Sequence, residues 1–217
     1  MDVSSAVDRR ASIRAFLDTP VSDDTIAELL EGAARAPSGG NVQPWVVYVV
    51  NGESMVRFKH TVADSGFDEP EYEVYPADLW EPHRTARFEL GESMYATLGI
   101  PRDDRRGRLT QLGRNYQFFD APASIFCFVD RRMGPPQWAD LGMFLQTFML
   151  LAQEAGLDTC PQEAWVSRGR TVAEFVGAPD ELMLFSGVAI GHRDPDAPIN
   201  QLRSVRLPLD DWATFVS

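Results

Sequence analysis

The sequence predicts a single α+β domain, on three observations. Apolar runs rich in β-branched and aromatic residues, at 45–50, 123–130 and 182–190, read as strands and stand far apart in the chain. Segments with the helical spacing of apolar residues fill the stretches between them. One of these, 137–155, is apolar almost all round, as a helix at the centre of a core must be. A length of 217 residues, with 44% hydrophobic and 24% charged residues, is enough for one domain with a sizeable core. The expected organisation is one domain over 1–217, with a helical excursion at about 64–118 and a C-terminal arm at about 192–217.

Each element has a local reason. Residues 22–36 read as a helix: Ser22 is the N-cap candidate, Asp23 and Asp24 suit the positive end, and Ile26, Leu29, Leu30 and Ala33 follow its inner face. Pro37 disfavours helical geometry at Ala36 and stops it. Residues 45–50 read as a buried strand closed by the Asn51-Gly52 turn, and 53–63 as the next helix. Residues 64–77, rich in Pro, Asp, Glu and Tyr, read as a loop. Residues 78–98 and 102–116 then form the two helices of the excursion. Strand 123–130 carries Cys127 in its core. Helix 137–155 places Trp138, Leu141, Phe144, Leu145, Phe148 and Leu151 at interior spacing, with Gly156 as its cap. A short helix at 171–176 and a third strand at 182–190 follow. The proline-punctuated arm from 192 has only Leu202, Val205, Leu207, Leu209, Trp212 and Phe215 to bury, so it must pack on another surface.

Charge and composition exclude several classes. A net charge of −12 and a pI near 4.6 argue against nucleic acid as a partner. The opening Met1-Asp2-Val3-Ser4-Ser5 lacks the basic start of a signal peptide, and the apolar helix from Leu141 to Ala152 is too short for a bilayer, so no membrane partner is expected. Two cysteines make no disulfide framework, and the expected compartment is the cytoplasm. Cys160 as a reactive nucleophile is disfavoured, because no histidine lies near it in sequence. His60, His83 and His192 are too dispersed for metal-ligand spacing, and no nucleotide-binding glycine fingerprint occurs. The acidic pairs Asp103-Asp104 and Asp210-Asp211 sit where helices start, where charge–dipole placement explains them.

Two segments carry chemistry. In Ala36-Pro37-Ser38-Gly39-Gly40-Asn41-Val42-Gln43-Pro44-Trp45, adjacent glycines and a serine let backbone N–H groups approach a ligand, and Asn41 and Gln43 offer amides that donate and accept. Taken alone, the same pattern fits a Gly-rich connection equally well. In Arg9-Arg10-Ala11-Ser12-Ile13-Arg14-Ala15-Phe16, an extended chain puts Arg10, Ser12 and Arg14 on one face. Two guanidiniums and a hydroxyl on one face suit a phosphate, while a solvated basic patch is the plainer reading of that segment by itself. Arg203 and Arg206 are further basic islands in an acidic chain.

Read together, these segments resemble the nitroreductase family of FMN-dependent oxidoreductases. The matches are Arg10, Ser12 and Arg14, then Pro37, Ser38, Asn41, Gln43, Pro44 and Trp45. Gly156-Leu157-Asp158-Thr159-Cys160-Pro161-Gln162 is similar to the family's loop beside the flavin ring, and Asn200 to Pro208 to its C-terminal phosphate-binding segment. The resemblance implies a mixed, mainly antiparallel central sheet flanked by helices, with a C-terminal extension swapped across a homodimer whose two subunits form each site. It implies FMN held by Arg10, Ala11, Ser12, Arg14, Pro37, Ser38, Gly39, Asn41, Gln43, Pro161, Gln162, Glu163, Arg203 and Arg206, with Glu163 offering a backbone N–H near the ring; Asn115, in the excursion that no family motif covers, is a further candidate to reach the flavin's pyrimidine edge. It implies no catalytic side chain, because the flavin carries the chemistry. NADH or NADPH is then the electron donor, in a ping-pong cycle with a nitroaromatic or quinone-like acceptor. Trp80, Tyr116 and Phe118, aromatics of the excursion, are the candidates to line a flat pocket for that acceptor, with core packing as the plainer alternative. A flavin-binding or storage module, or a family branch that dehalogenates or fragments flavin, is the alternative function.

Overall fold

The computed structural model describes residues 1–216. Helices α1 (Val3–Arg9), α2 (Asp23–Ala33), α3 (Glu53–Asp64), α4 (His83–Thr97), α5 (Arg105–Gly113), α6 (Pro135–Glu154) and α7 (Gly169–Val176) surround four strands. These are β1 (Val46–Asn51), β2 (Ala123–Asp130), β3 (Asp158–Gln162) and β4 (Leu182–Gly191). They form one sheet of order β1-β2-β4-β3, antiparallel at every pairing.

Strand β2 lies between two cores, and its alternation assigns each side chain to one of them. Ile125, Cys127 and Val129 join Ile26 and Leu29 of α2 and Leu141, Phe144 and Phe148 of α6. Phe126 and Phe128 join Phe58 of α3, Val172 of α7 and Trp165 in the turn Glu163–Arg168. Trp165 fits because Gly187 has no side chain: a Cβ there would lie 2.5 Å from the indole. Helix α2 begins as expected, with the Ser22 hydroxyl accepting from Thr25 N–H at 3.1 Å. Helix α6 begins earlier than Gln137, at Pro135 and Pro136, because a missing N–H costs nothing in a first turn. It ends in a left-handed Gly156 (φ +75°).

The structure corrects several expectations. Strand β1 is not buried: it is an edge strand, paired only with β2, and Val46 and Val49 face out. The segment 158–162, expected as a loop, is β3, paired with β4. Helix α1 was not expected; the Asp2 carboxylate caps it by accepting from Ser5 N–H at 2.8 Å. The excursion helices are shorter than 78–98 and 102–116, starting only after Pro82 and at the Asp104 cap. Helix α6 is central on one side only, leaving Ala139, Gly142, Met143 and Gln146 exposed along the other. The arm beyond Leu202 is almost wholly exposed, including Val205, Trp212 and Phe215.

Candidate functional site

Beyond α1 the chain runs extended beside β3, bridging Ser12 to Thr159, with Ile13 N–H donating to the Thr159 carbonyl at 3.0 Å. The alternation expected of this segment is present. Ile13 and Ala15 are buried, while Arg10, Ser12 and Arg14 are half-buried and line a cleft of about 560 Å³ on the other face. The C-terminal segment closes that cleft with Arg203 and Arg206. Buried Asn200 ties the two chain ends together. Its Oδ1 accepts from Arg14 N–H at 2.9 Å, and its Nδ2 donates to the Ala15 carbonyl at 2.8 Å. Sequence reasoning placed Asn200 in the C-terminal block but missed this role, which only a 186-residue separation in the chain reveals.

Four arginines thus meet in one cleft, and among the described residues none of them forms an ion pair. Arg203 donates to the Asp8 and Arg9 carbonyls, at 3.2 and 3.3 Å, and Arg206 to the Ser204 hydroxyl at 2.6 Å and to the Ser204 and Val205 carbonyls at 3.1 and 3.2 Å. Burial pulls the pKa of Arg10 below its ordinary value, and the charges of Arg206 and Arg203 push it further the same way. Asp8 also lines the cleft but pairs with none of them, and like charges drawn together without an ion-pair partner repel, so this cluster suits an anion with several oxygens, such as a phosphate monoester. The donor set therefore fits the phosphate of FMN.

The loop at 37–43 lies elsewhere. Gly39 N–H points between both carboxylate oxygens of buried Asp140 on α6, at 3.3 Å each. The Ser38 hydroxyl accepts from Gln43 N–H at 3.0 Å, and the Gln43 amide donates to the Asn41 carbonyl at 3.2 Å. Gly40, Asn41 and Gln43 all take left-handed backbone (φ +58°, +58° and +49°), a conformation costly for the two non-glycine residues. Pro37, Gly39, Asn41 and Gln43 are exposed, and none of the loop lines the arginine cleft of its own chain. Asp140 was not anticipated as the anchor of this loop, because a lone Asp in an apolar helix gives no signal of its partner.

At the end of β3, Pro161 is half-buried and Glu163, just beyond, is exposed, whereas Gln162 turns its side chain into the core. Its amide donates to the Asn115 carbonyl at 2.7 Å and accepts from Trp165 Nε1 at 3.3 Å, so only its backbone is left for a ligand. Asn115 Nδ2 is likewise engaged, donating to the Leu112 carbonyl at 2.9 Å.

The acceptor-pocket candidates separate. Phe118 is wholly buried against Phe58, Phe126 and Trp165 and is a core residue, not a pocket wall. Phe118, Phe119 and Asp120 all have positive φ, and this turn tucks the ring inward. Tyr116 is half-buried, its hydroxyl 2.9 Å from Ser167 Oγ and its ring edge-on to Trp165. Trp80 is exposed beside His83, outside the cleft. Cys160 is buried, and burial pushes its thiol up to about 11, so it stays protonated at neutral pH.

An antiparallel sheet whose two chain ends converge as an arginine cleft defines an α+β protein built to hold a phosphate-bearing ligand. The Nitroreductase family model matches residues 7–192, and the chain belongs to that family. It is an oxidoreductase. The nitrobenzene nitroreductase of Ectopseudomonas oleovorans is 37% identical over 222 residues, 96% of this chain and 94% of that protein. The crystal structure of the FMN and NADPH-dependent nitroreductase NfnB from sphigopyxis sp. strain HMH superposes with a TM-score of 0.96 at 47% identity, over 100% of both chains. That of the FMN-dependent nitroreductase NfnB from Mycobacterium smegmatis in complex with NADPH does so with a TM-score of 0.92 at 27% identity, again over 100% of both. Among the described residues, no helix is long and apolar enough to cross a membrane.

Proposed function

We propose that this chain is an FMN-dependent nitroreductase that uses NADPH to reduce nitroaromatics, with quinones as further acceptors. The observation that carries the reading is the cleft where Arg10, Arg14, Arg203 and Arg206 meet without carboxylate partners. Bound there, FMN would supply two-electron redox chemistry between the nicotinamide and the acceptor. The four guanidiniums and the Ser12 hydroxyl hold its phosphate, with Ala11 beside them. The Pro37–Gln43 loop offers backbone N–H groups and the amides of Asn41 and Gln43. Asn115, Pro161, the Gln162 backbone and the Glu163 N–H would hold the flavin ring. With no acid–base side chain required, the protein's contribution is to orient donor and acceptor and to exclude water. Donor and acceptor use one site in turn, which gives ping-pong order.

The proposed enzyme is a homodimer in which each site takes its Pro37–Gln43 loop from the second copy. Three features support it: that loop does not line its own chain's cleft, the outer stripe of α6 is bare, and the edge of β1 is free. The exposed arm, with Trp212 and Phe215, then crosses to the second copy. Its two buried thiols are unpaired, which fits the reducing cytoplasm we propose as its compartment.

The test is spectroscopic. The purified protein should be yellow, and NADPH should bleach it until a nitroaromatic such as nitrobenzene restores the colour. Arg206→Ala should weaken FMN binding tenfold or more, since a hydrogen bond to a charged group is worth about 1.5–3 kcal/mol. A folded protein that ignores added FMN would sink the reading. Flavin bleached by dithionite but by neither nicotinamide would favour flavin storage instead.

A further inference from the structure

A second cavity adjoins the arginine cleft. A groove of about 750 Å³ runs between α4 and residues 203–207, and Leu90, Arg203, Ser204 and Arg206 line both spaces, so the two adjoin. Its walls are largely apolar and aromatic, with Tyr75, Phe88, Val205 and Leu207. Its charge is basic. Among the described residues Arg87 has no ion pair and no side-chain hydrogen bond, and its guanidinium carbon sits 4.2 Å over the centre of the Tyr75 ring. Of the two carboxylates there, Glu92 is committed to Arg108 at 2.6 and 3.0 Å, which leaves Glu89 alone against Arg87, Arg203 and Arg206.

Resting on the nitroreductase reading, we propose that this groove takes the adenosine 2′-phosphate end of NADPH, and that Arg87 is the residue that selects NADPH over NADH. The argument is one of size and charge. In a ping-pong cycle the nicotinamide and a one-ring acceptor occupy the same reacting position. Only the dinucleotide extends beyond it, so a large basic groove beside the phosphate cleft has room for the far end of the donor and exceeds what the acceptor needs. A volume of this order matches a drug-sized ligand and far exceeds one benzene ring. The two nicotinamides differ by a single phosphate, and an unpaired guanidinium that can bind phosphate bidentately is the group able to tell them apart. Stacking on Tyr75 holds that guanidinium ready, which lowers the ordering cost of binding.

Calorimetry on the FMN-loaded, full-length protein tests this without turnover. Adenosine 2′,5′-bisphosphate should bind at least tenfold more tightly than adenosine 5′-monophosphate, and Arg87→Ala should bring that ratio close to one. In steady-state kinetics Arg87→Ala should raise the KM for NADPH about tenfold and the KM for NADH far less, with kcat for NADPH within twofold. Arg106→Ala, on α5 and outside the groove, is the control and should behave as the wild type. The proposal is overturned if the wild type does not discriminate between the two nucleotides, or if Arg87→Ala keeps the ratio. A change in the acceptor's KM alone, or a change of oligomeric state in light scattering, would also overturn it, because acceptor or second copy would then fill the groove. A wild type that turns over both nicotinamides with equal KM overturns this inference only. A flavin-loaded wild type that oxidises neither overturns it together with the nitroreductase reading.

Discussion

Seven of the eight residues of β2 are buried, whereas none of the fifteen residues of α4 is. Strand β2 is fixed by apolar contact on both faces and by two antiparallel neighbours. Helix α4 is held by charge: Arg108 pairs with Glu92 and lies over Tyr95, Arg102 lies over Phe88, and Arg87 over Tyr75. Contacts of that kind near the surface contribute little each, because solvent screens them. An isolated helix of this length is marginal in water. The sheet therefore stands on its own side chains, and the excursion with the arm is left available for a ligand or a second copy.

The sharpest way to break this contrast is Phe118→Ala. Phe118 belongs to the excursion by sequence and to the sheet core by packing. Its truncation should cost about 3–5 kcal/mol in chemical denaturation. A loss under about 1 kcal/mol would mean that the ring is not part of the core. A smaller effect is expected from acid. Burial pushes the Asp158 carboxyl up, but hydrogen bonds from Arg193 and Gln153 outweigh it and hold the group below its ordinary value. A depressed folded pKa gives stability that is present above the unfolded value, about 3.9, and is lost as pH falls through the folded one. Asp158→Asn should therefore lower stability at pH 7 and flatten its decline in acid, read by urea midpoints from pH 7 to 2.5. An unchanged acid limb would remove Asp158 as a pin between β3 and Arg193. The smallest effect should come from Leu109→Ser on α5, where the side chain is exposed: about 0.5 kcal/mol or less. A larger loss would show that a second copy covers that helix in solution.

The same contrast decided what could be read from sequence. Strand β2 was legible to the residue, because a continuous apolar run bounded by Pro122 and Asp130 has one outcome. The α2 cap and the alternation of Arg10, Ser12 and Arg14 were legible for equally local reasons. Strand β3 was not: Asp158-Thr159-Cys160-Pro161-Gln162 carries a proline and no apolar period, and its strand state comes from pairing with β4. The burial of Phe118 was hidden because a left-handed run at Phe118, Phe119 and Asp120 has no glycine to announce it. For the site, residue types were legible locally, and the resemblance to the family grouped the arginines of the two chain ends. Those arginines do meet, while the Asn41 loop does not line the cleft of its own chain, and no local pattern in the sequence tells which chain's cleft it serves.

Helix α6 touches both of those places. Asp140 takes the Gly39 N–H and Gln146, six residues on, lines the arginine cleft. At 1.5 Å and 100° per residue, they are about 9 Å apart along the axis and about 120° apart around it. The helix thus acts as a fixed index between loop and cleft. Adding or removing one residue between them would turn one end by about 100° relative to the other, putting the two out of phase in every copy of the chain at once. Substitutions along the outer stripe at Gly142 and Met143 leave that phase untouched. In this short interval, then, the count of residues is a tighter constraint on the site than their identity.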